Sequence, residues 1–173
     1  MNKSGMKVSG RVEITLRDKL GRIKLHEIHD NLVVTQGLVL IQDRLIGTSS
    51  NIITNLGIGW YRTLDPDAPA EDDVNFPDMG TGIDEGQDRK ATTPDPNISP
   101  PPIYFTLTEA WAPGEPATYY SAYPGTDCPI KAIGAFTGGG TGNTIFSWVK
   151  RSVINKNTVD TLVINYVITI SPA

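Results

Sequence analysis

The last apolar segment of the chain sets its pattern. From Asp160 to Ile170 the residues alternate strictly, with Leu162, Ile164, Tyr166, Ile168 and Ile170 on one face and Thr161, Val163, Asn165, Val167 and Thr169 on the other. A period of two is the signature of a strand with one core face. Eight of these eleven residues are β-branched or aromatic, which suits a pleated, half-buried surface. Burying the five apolar side chains is worth about 1.5–3 kcal/mol each at most. Net stability for a domain is only about 5–15 kcal/mol, so the fold depends on this strand.

The same reading along the chain predicts further strands. Residues 1–10 carry no apolar pattern and read as an N-terminal arm, and residues 11–173 as a single β domain. Val12, Ile14 and Leu16 share one face of a strand over 11–17. After a turn at Asp18–Gly21, a second run over 22–28 carries Ile23, Leu25 and either His26 or Ile28 as its apolar set, so the pair forms a hairpin. A helix is predicted over 35–46, with Leu38, Ile41 and Leu45 in phase and Gly47 as the C-terminal glycine. Val39, Leu40 and Ile46 widen its apolar stripe, which predicts burial on more than a narrow face. Strands follow over 52–60, 103–108, 130–136 and 144–150. Gly57 and Gly59 in the first of these mark a bulge or a close backbone approach. Residues 111–129, rich in Pro, Gly and Tyr, read as irregular, and 137–143 as a flexible turn.

Between 61 and 102 the pattern lapses. This segment holds eight of the thirteen prolines and few large apolar residues. It is predicted to be a long irregular insertion, far beyond the usual loop limit of about 15 residues, and such loops bind or cover something. The prediction is therefore an all-β sandwich or jelly-roll-like barrel of about eight short strands, with one short helix and one long insertion.

Charge sharpens the picture. The net charge of −4 conceals +3 over residues 1–60 and −7 over 61–102. In a self-associating protein this asymmetry steers a basic end to a neighbour's acidic loop; in a monomer it simply keeps a loop solvated. No apolar run approaches the roughly 18 residues of a membrane span, so no membrane partner is expected. The start of the chain lacks a signal-peptide pattern, which predicts assembly in the cytoplasm. Cys128 is the only cysteine, so no intrachain disulfide can form.

Candidate chemistry is sparse. His26-Glu-Ile-His29 is one residue short of the zinc-protease helix motif, and on a strand the two imidazoles face opposite sides. Gly138–Gly142 leads into a strand and lacks the Lys-Ser/Thr of a phosphate loop. The acidic runs at 71–73 and 84–88 do not match the spacing of a calcium loop. With two histidines and one cysteine, acyl-transfer constellations have little material. No enzyme, no cofactor and no metal is predicted. Basic residues are not interleaved with aromatics, so no nucleic-acid partner is predicted either. The aromatics cluster around the insertion, which suits a protein or sugar interface and suits a sandwich core equally. The candidate partner interface comprises Lys3 and Lys7 of the arm, Phe76 and Met79 of the insertion, and Trp60, Tyr61, Trp111, Tyr119 and Tyr120 around it.

Two stretches together carry a resemblance. One is Asn31-Leu-Val-Val-Thr-Gln-Gly-Leu-Val-Leu-Ile-Gln-Asp-Arg-Leu-Ile-Gly47 with Leu56-Gly-Ile-Gly59; the other joins Ile133-Gly-Ala-Phe136, Thr144–Val149 and Val153–Ile170. They cover about half the chain and resemble small virion structural proteins of tailed bacteriophages, although the acidic insertion departs from that pattern. The resemblance implies a β-rich virion component without catalysis. It is expected to be a capsid decoration (cement) protein, bridging neighbouring capsid subunits with its arm and long loop. Its partners would be the major capsid protein or another virion protein, and it would form a homo-oligomer, trimer or dimer. The alternatives are a tail, baseplate or fibre-associated protein, or a carbohydrate-binding module using Trp60, Trp111 and the loop carboxylates.

Overall fold

The structure, a computed structural model, describes residues 6–45, 52–63, 65–67, 69–70, 85–97, 103–137 and 145–172. The fold is all-β. Among the described residues, nine strands, β1 (Met6–Arg17), β2 (Ile23–Val33), β3 (Asn55–Tyr61), β4 (Glu85–Ala91), β5 (Asp95–Asn97), β6 (Ile103–Trp111), β7 (Cys128–Phe136), β8 (Ile145–Lys156) and β9 (Thr161–Pro172), accompany two short helices, α1 (Thr35–Leu45) and α2 (Ala117–Ala122). All pairings are antiparallel, in the order β4-β3-β7-β8-β2-β1-β9-β6-β5.

The strands at the two ends of that order are consecutive in the chain, so the sheet curls back on itself. β4 pairs along β3 and β5 pairs with β6, with only residues 92–94 between them. Thr92 ties the corner, its amide donating to Thr54 O and its hydroxyl to Thr108 O at 3.1 Å. Lys90 Nζ donates to Ala110 O at 2.8 Å, and Trp111 Nε1 to Asp88 at 2.8 Å, which joins β4 to β6 through side chains. The second corner is β2. It runs beside β1 for most of its length, and its end joins β8 through Leu32↔Trp148 and Val33↔Ser147.

The final strand occupies the predicted place. Leu162, Ile164, Tyr166 and Ile168 are fully buried, facing Val12, Ile14 and Leu16 from β1 and Leu107 and Trp111 from β6. Its other face, with Val163, Asn165 and Val167, is half-buried on the outside of the sheet. A second buried cluster of Val34, Tyr61, Ala132, Phe136, Ile145 and Trp148 makes β3, β7 and β8 apolar on both sides. There Arg89 stacks 3.7 Å over the Phe136 ring, and burial pulls its guanidinium down to about 10. Asp65 returns to the same strands, 2.8 Å from Lys150 Nζ and 3.5 Å from Lys131 Nζ.

Several expectations are corrected. Residues 85–97, placed in the irregular insertion, form β4 and β5. Gly86, Gln87, Asp88, Arg89 and Lys90 give no apolar alternation because this strand is a corner whose side chains are used for polar ties. Residues 6–10, read as an arm, extend β1 along the end of β9, from Met6↔Pro172 to Gly10↔Ile168; residues 1–5 lie outside the described residues. The tyrosine-rich stretch contains α2, with Tyr119 and Tyr120 buried. Helix α1 buries a narrow stripe, Gly37 and Leu40, while Leu38 and Val39 are exposed. A Cβ on Gly37 would sit 2.3 Å from Phe146 O, so the missing side chain allows the helix to lie against β8. On β2, Ile23 and Ile28 are exposed, and the inward face carries Leu25, Glu27, His29 and Asn31. The β3 glycines do mark both a bulge, at Gly59/Trp60, and a close approach, where a Cβ on Gly57 would lie 2.8 Å from the Phe136 ring. Of the turn predicted over 137–143, residues 138–143 lie outside the described residues.

Ile168→Asp is expected to abolish cooperative folding, because it places an unpaired carboxylate in a fully buried site. A thermal melt followed by far-UV circular dichroism checks this; a transition like that of the wild type would contradict the placement of β9.

Candidate functional site

The aromatic residues proposed as an interface rim lie mostly inside. Trp60 edges against Tyr119, with ring centroids 5.9 Å apart and planes at 72°, and Tyr119 contacts Tyr120 at 5.4 Å and Tyr123 at 5.1 Å. Trp60, Tyr61, Trp111, Tyr119 and Tyr120 are all buried, so none of them forms a surface rim. The reason is local. Trp60 and Trp111 fall on the inward phase of β3 and β6, and Tyr61 on the covered outer face of β3. Lys7 is exposed on β1 opposite Ser171. Lys3, Phe76 and Met79 lie outside the described residues.

Below this aromatic floor is a polar cluster that sequence reading did not single out. Cys128 and Lys156 are direct cross-strand partners on β7 and β8, and both are fully buried. Lys156 Nζ donates to Ala112 O at 3.0 Å and lies 5.6 Å from the Tyr120 ring centroid. The Tyr120 hydroxyl donates to Lys156 O at 2.5 Å. Burial depresses the Lys156 ammonium to about 8, against the opposing pull of Cys128, Asp160 and Glu115. Burial pushes the Cys128 thiol far up, the opposite of an activated nucleophile. Glu115 accepts from Lys90 Nζ and from the Ala112 amide, which binds the end of β6 to β4. These contacts tie strand ends together, and the lysine amine is sealed from solvent. The available signal was phase: Lys156 follows Ile154 by two residues and so shares its inward face.

A second polar group spans the gap between β2 and β8. Arg151, its side chain 2% exposed, places Nη1 2.5 Å from Glu27 Oε2 and 2.8 Å from His29 Nε2. Hydrogen bonds from Arg151 and then His29 hold the Glu27 carboxyl below its ordinary range. His26 lies on the opposite face, with Nδ1 3.2 Å from Thr15 Oγ1 and 3.9 Å from Glu13. The two histidines therefore do not converge on a metal. Further along β2, Asn31 bonds to the Ser147 and Tyr166 hydroxyls, so β2, β8 and β9 meet in one buried polar pin.

The exposed candidate surface is the end of the β1–β2 hairpin. Asp18 Oδ1 accepts from the amides of Leu20 (2.8 Å) and Arg22 (3.0 Å), and Gly21 takes φ 78°, which fixes a tight turn. Lys24 Nζ reaches Asp160 Oδ2 at 2.6 Å and so sets the β8–β9 turn beside the hairpin. Leu20, Ile23 and Val159 are exposed at this end (68%, 57% and 47%), alongside the exposed bases Arg17, Lys19 and Arg22. Asp18 pairs with Arg22 at 2.7 Å, which leaves Arg17 and Lys19 as the basic excess beside these apolar side chains, a combination suited to contact with an acidic protein surface.

Comparison with protein-family models, with curated proteins and with solved structures finds no match to this chain.

Lys156→Met isolates the cost of the buried amine. Between pH 8 and the ordinary 10.5 the unfolded chain holds the lysine proton while the folded chain releases it, so this group's contribution to stability rises with pH. The unfolding free energy of the wild type relative to Lys156→Met is expected to rise by about 1–3 kcal/mol from pH 7.5 to 10. Cys128 works in the opposite sense and is common to both proteins. Urea titrations of the two proteins across that range measure the difference.

Proposed function

We propose that this protein is a structural component of a tailed-phage virion, a capsid decoration protein that docks on a neighbouring subunit. The observation that carries the reading is the hairpin end, where Leu20, Ile23 and Val159 stand exposed beside Arg17, Lys19 and Arg22 on a well-braced turn. A rigid sheet with an apolar, basic tip is suited to gripping a partner. The residues that carry the phage resemblance support it further. They build α1, the Leu56-Gly-Ile-Gly59 strand and the β7–β9 frame, so the resemblance follows the elements that organise the fold. The acidic stretch 71–84 of an adjacent copy, or an acidic face of the capsid protein, is the natural counterpart of the tip.

The second reading is a tail or baseplate component, which would use the same surface at a lower copy number. The carbohydrate-binding reading loses its basis, because Trp60 and Trp111 are buried and Asp88 is engaged by the Trp111 indole.

In phage particles carrying this gene, quantitative mass spectrometry is expected to find hundreds of copies per virion. A multiple of three or six in the low tens would favour the tail, and absence from purified virions would overturn the proposal. A Leu20→Asp/Ile23→Asp double variant should melt like the wild type and fail to enter virions. Deletion of 71–84 tests the acidic segment while keeping β4 and β5; a deletion extending to residue 100 would remove both strands and open the sheet.

A further inference from the structure

Two rungs, Leu32↔Trp148 and Val33↔Ser147, join β2 to β8, and no pairing continues beyond them among the described residues. Ile23–Asn31 of β2 and Val149–Lys156 of β8 thus face each other across a seam, each strand laddered only on its far side, to β1 and to β7. Side chains hold this seam. Asn31 Nδ2 donates to Ser147 Oγ at 2.9 Å at one end, and Lys24 Nζ meets Asp160 at 2.6 Å at the other. Between them stands Arg151 of β8 with Glu27 and His29 of β2.

The protons of this group decide what it joins. Arg151 Nη1 lies 2.8 Å from His29 Nε2, and a guanidinium only donates, so Nε2 accepts and the ring proton sits on Nδ1. Nε2 also lies 2.8 Å from Glu27 Oε2, which as a carboxylate has nothing to donate. The neutral ring therefore bonds across the seam. A proton on Nε2 removes that acceptor and turns the ring into a donor, whose acceptor is Glu27, two residues away on its own strand. One proton thus exchanges a β2–β8 bond for a bond within β2, and sets an imidazolium N–H against the guanidinium. Glu27 and His29 side chains are each 34% exposed, so protons reach them, while Arg151 is buried.

We infer that Arg151, Glu27 and His29 form an acid-released latch on the β2–β8 seam, in which protonation of His29 gives up one of the two bonds that Arg151 makes to β2. The second bond, from Arg151 to Glu27 at 2.5 Å, holds to lower pH. Hydrogen bonds from Arg151 and then His29 keep the Glu27 carboxyl below its ordinary range, so the stability it adds is present above that range and lost only as pH falls through the depressed value. The surroundings leave the ring to these two partners. Val12 and Ile14 of β1, opposite His29 and Glu27, are apolar. The Tyr166 hydroxyl of β9 is bonded to Asn31 and Ser147, and Lys150 of β8 pairs with Asp65. His26 and Glu13 lie together on the outer face, as does the exposed Asp30. The latch stands apart from the hairpin tip, and the inference does not depend on the virion reading.

Nitrogen-15 NMR of the full chain between about pH 7 and 5.5 tests it, a range in which imidazoles ordinarily change charge and Lys156, depressed to about 8, stays charged. The ring-nitrogen shifts of neutral His29 are expected to show the proton on Nδ1. On acidification the Arg151 Nε–H should exchange with solvent about tenfold faster, after correction for the intrinsic pH dependence, as one lost charge-assisted hydrogen bond requires. His29→Gln offers an acceptor that does not titrate and should hold the corrected Arg151 exchange constant over the same range. His26→Gln, at the outer-face histidine bonded to Thr15, should keep the wild-type response. A neutral His29 with its proton on Nε2 overturns the inference. So does a wild-type Arg151 signal indifferent to acid, a response that survives in His29→Gln, or one that vanishes in His26→Gln.

Discussion

Backbone pairing at the edges of the sheet is the constraint on which the rest of this structure depends. A strand edge left bare exposes a row of donors and acceptors, and a buried one leaves them unsatisfied. The chain meets this by bending one stretch, residues 85–97, so that its first half pairs along the whole of β3 and its second half pairs with Tyr104–Thr106 of β6. Everything at that corner serves the bend. Thr92 holds both flanking strands, Lys90 and Asp88 reach β6, and Gly86 gives room to the Trp60 indole, which a Cβ would approach to 2.2 Å. The polarity of β4 is the price of making a corner from side chains.

The opposite corner is looser. Only two residue pairs join β2 to β8, and the space beyond them is bridged by the Arg151–Glu27–His29 group and the Asn31–Ser147–Tyr166 pin. Arg151 is buried while Glu27 and His29 remain about a third exposed, so desolvation of the guanidinium offsets part of the Coulombic gain. Here they fix which face of β2 turns inward. The outward positions of that strand are thereby left to His26, Ile28 and Asp30. The hairpin tip beyond it carries exposed apolar and basic side chains, Leu20, Ile23, Arg17 and Lys19.

The fold class was legible because most strands are half-buried and must alternate. Val12, Ile14 and Leu16, and Leu162 to Ile168, state their inward phase in the sequence, and the structure buries them as that phase requires. The candidate interface was read less well. Trp60, Trp111, Tyr119 and Tyr120 cluster near the acidic segment, and a cluster of aromatics is written alike for a rim and for a core. Only the curl of the sheet, which carries β3 and β6 around to face each other's side chains, decides that they are interior. Lys156 shows the converse. A lysine beside two asparagines reads as turn, while its registry with Cys128 places it in the deepest part of the barrel end.

By itself, then, the sequence determined the β architecture, the terminal strand as the centre of the core, the helix after β2 and the charge division between the two parts of the chain. These follow from local periodicity and composition, which act within a few residues. Tertiary structure decided the rest: that residues 85–97 hold two strands, that residues 6–10 belong to β1, that Trp60, Trp111, Tyr119 and Tyr120 are buried, and that β2 meets β8 over only two residue pairs. Each of these depends on which strand lies beside which. Pairing partners are set by long-range closure of the ribbon, and no local pattern in the chain records it.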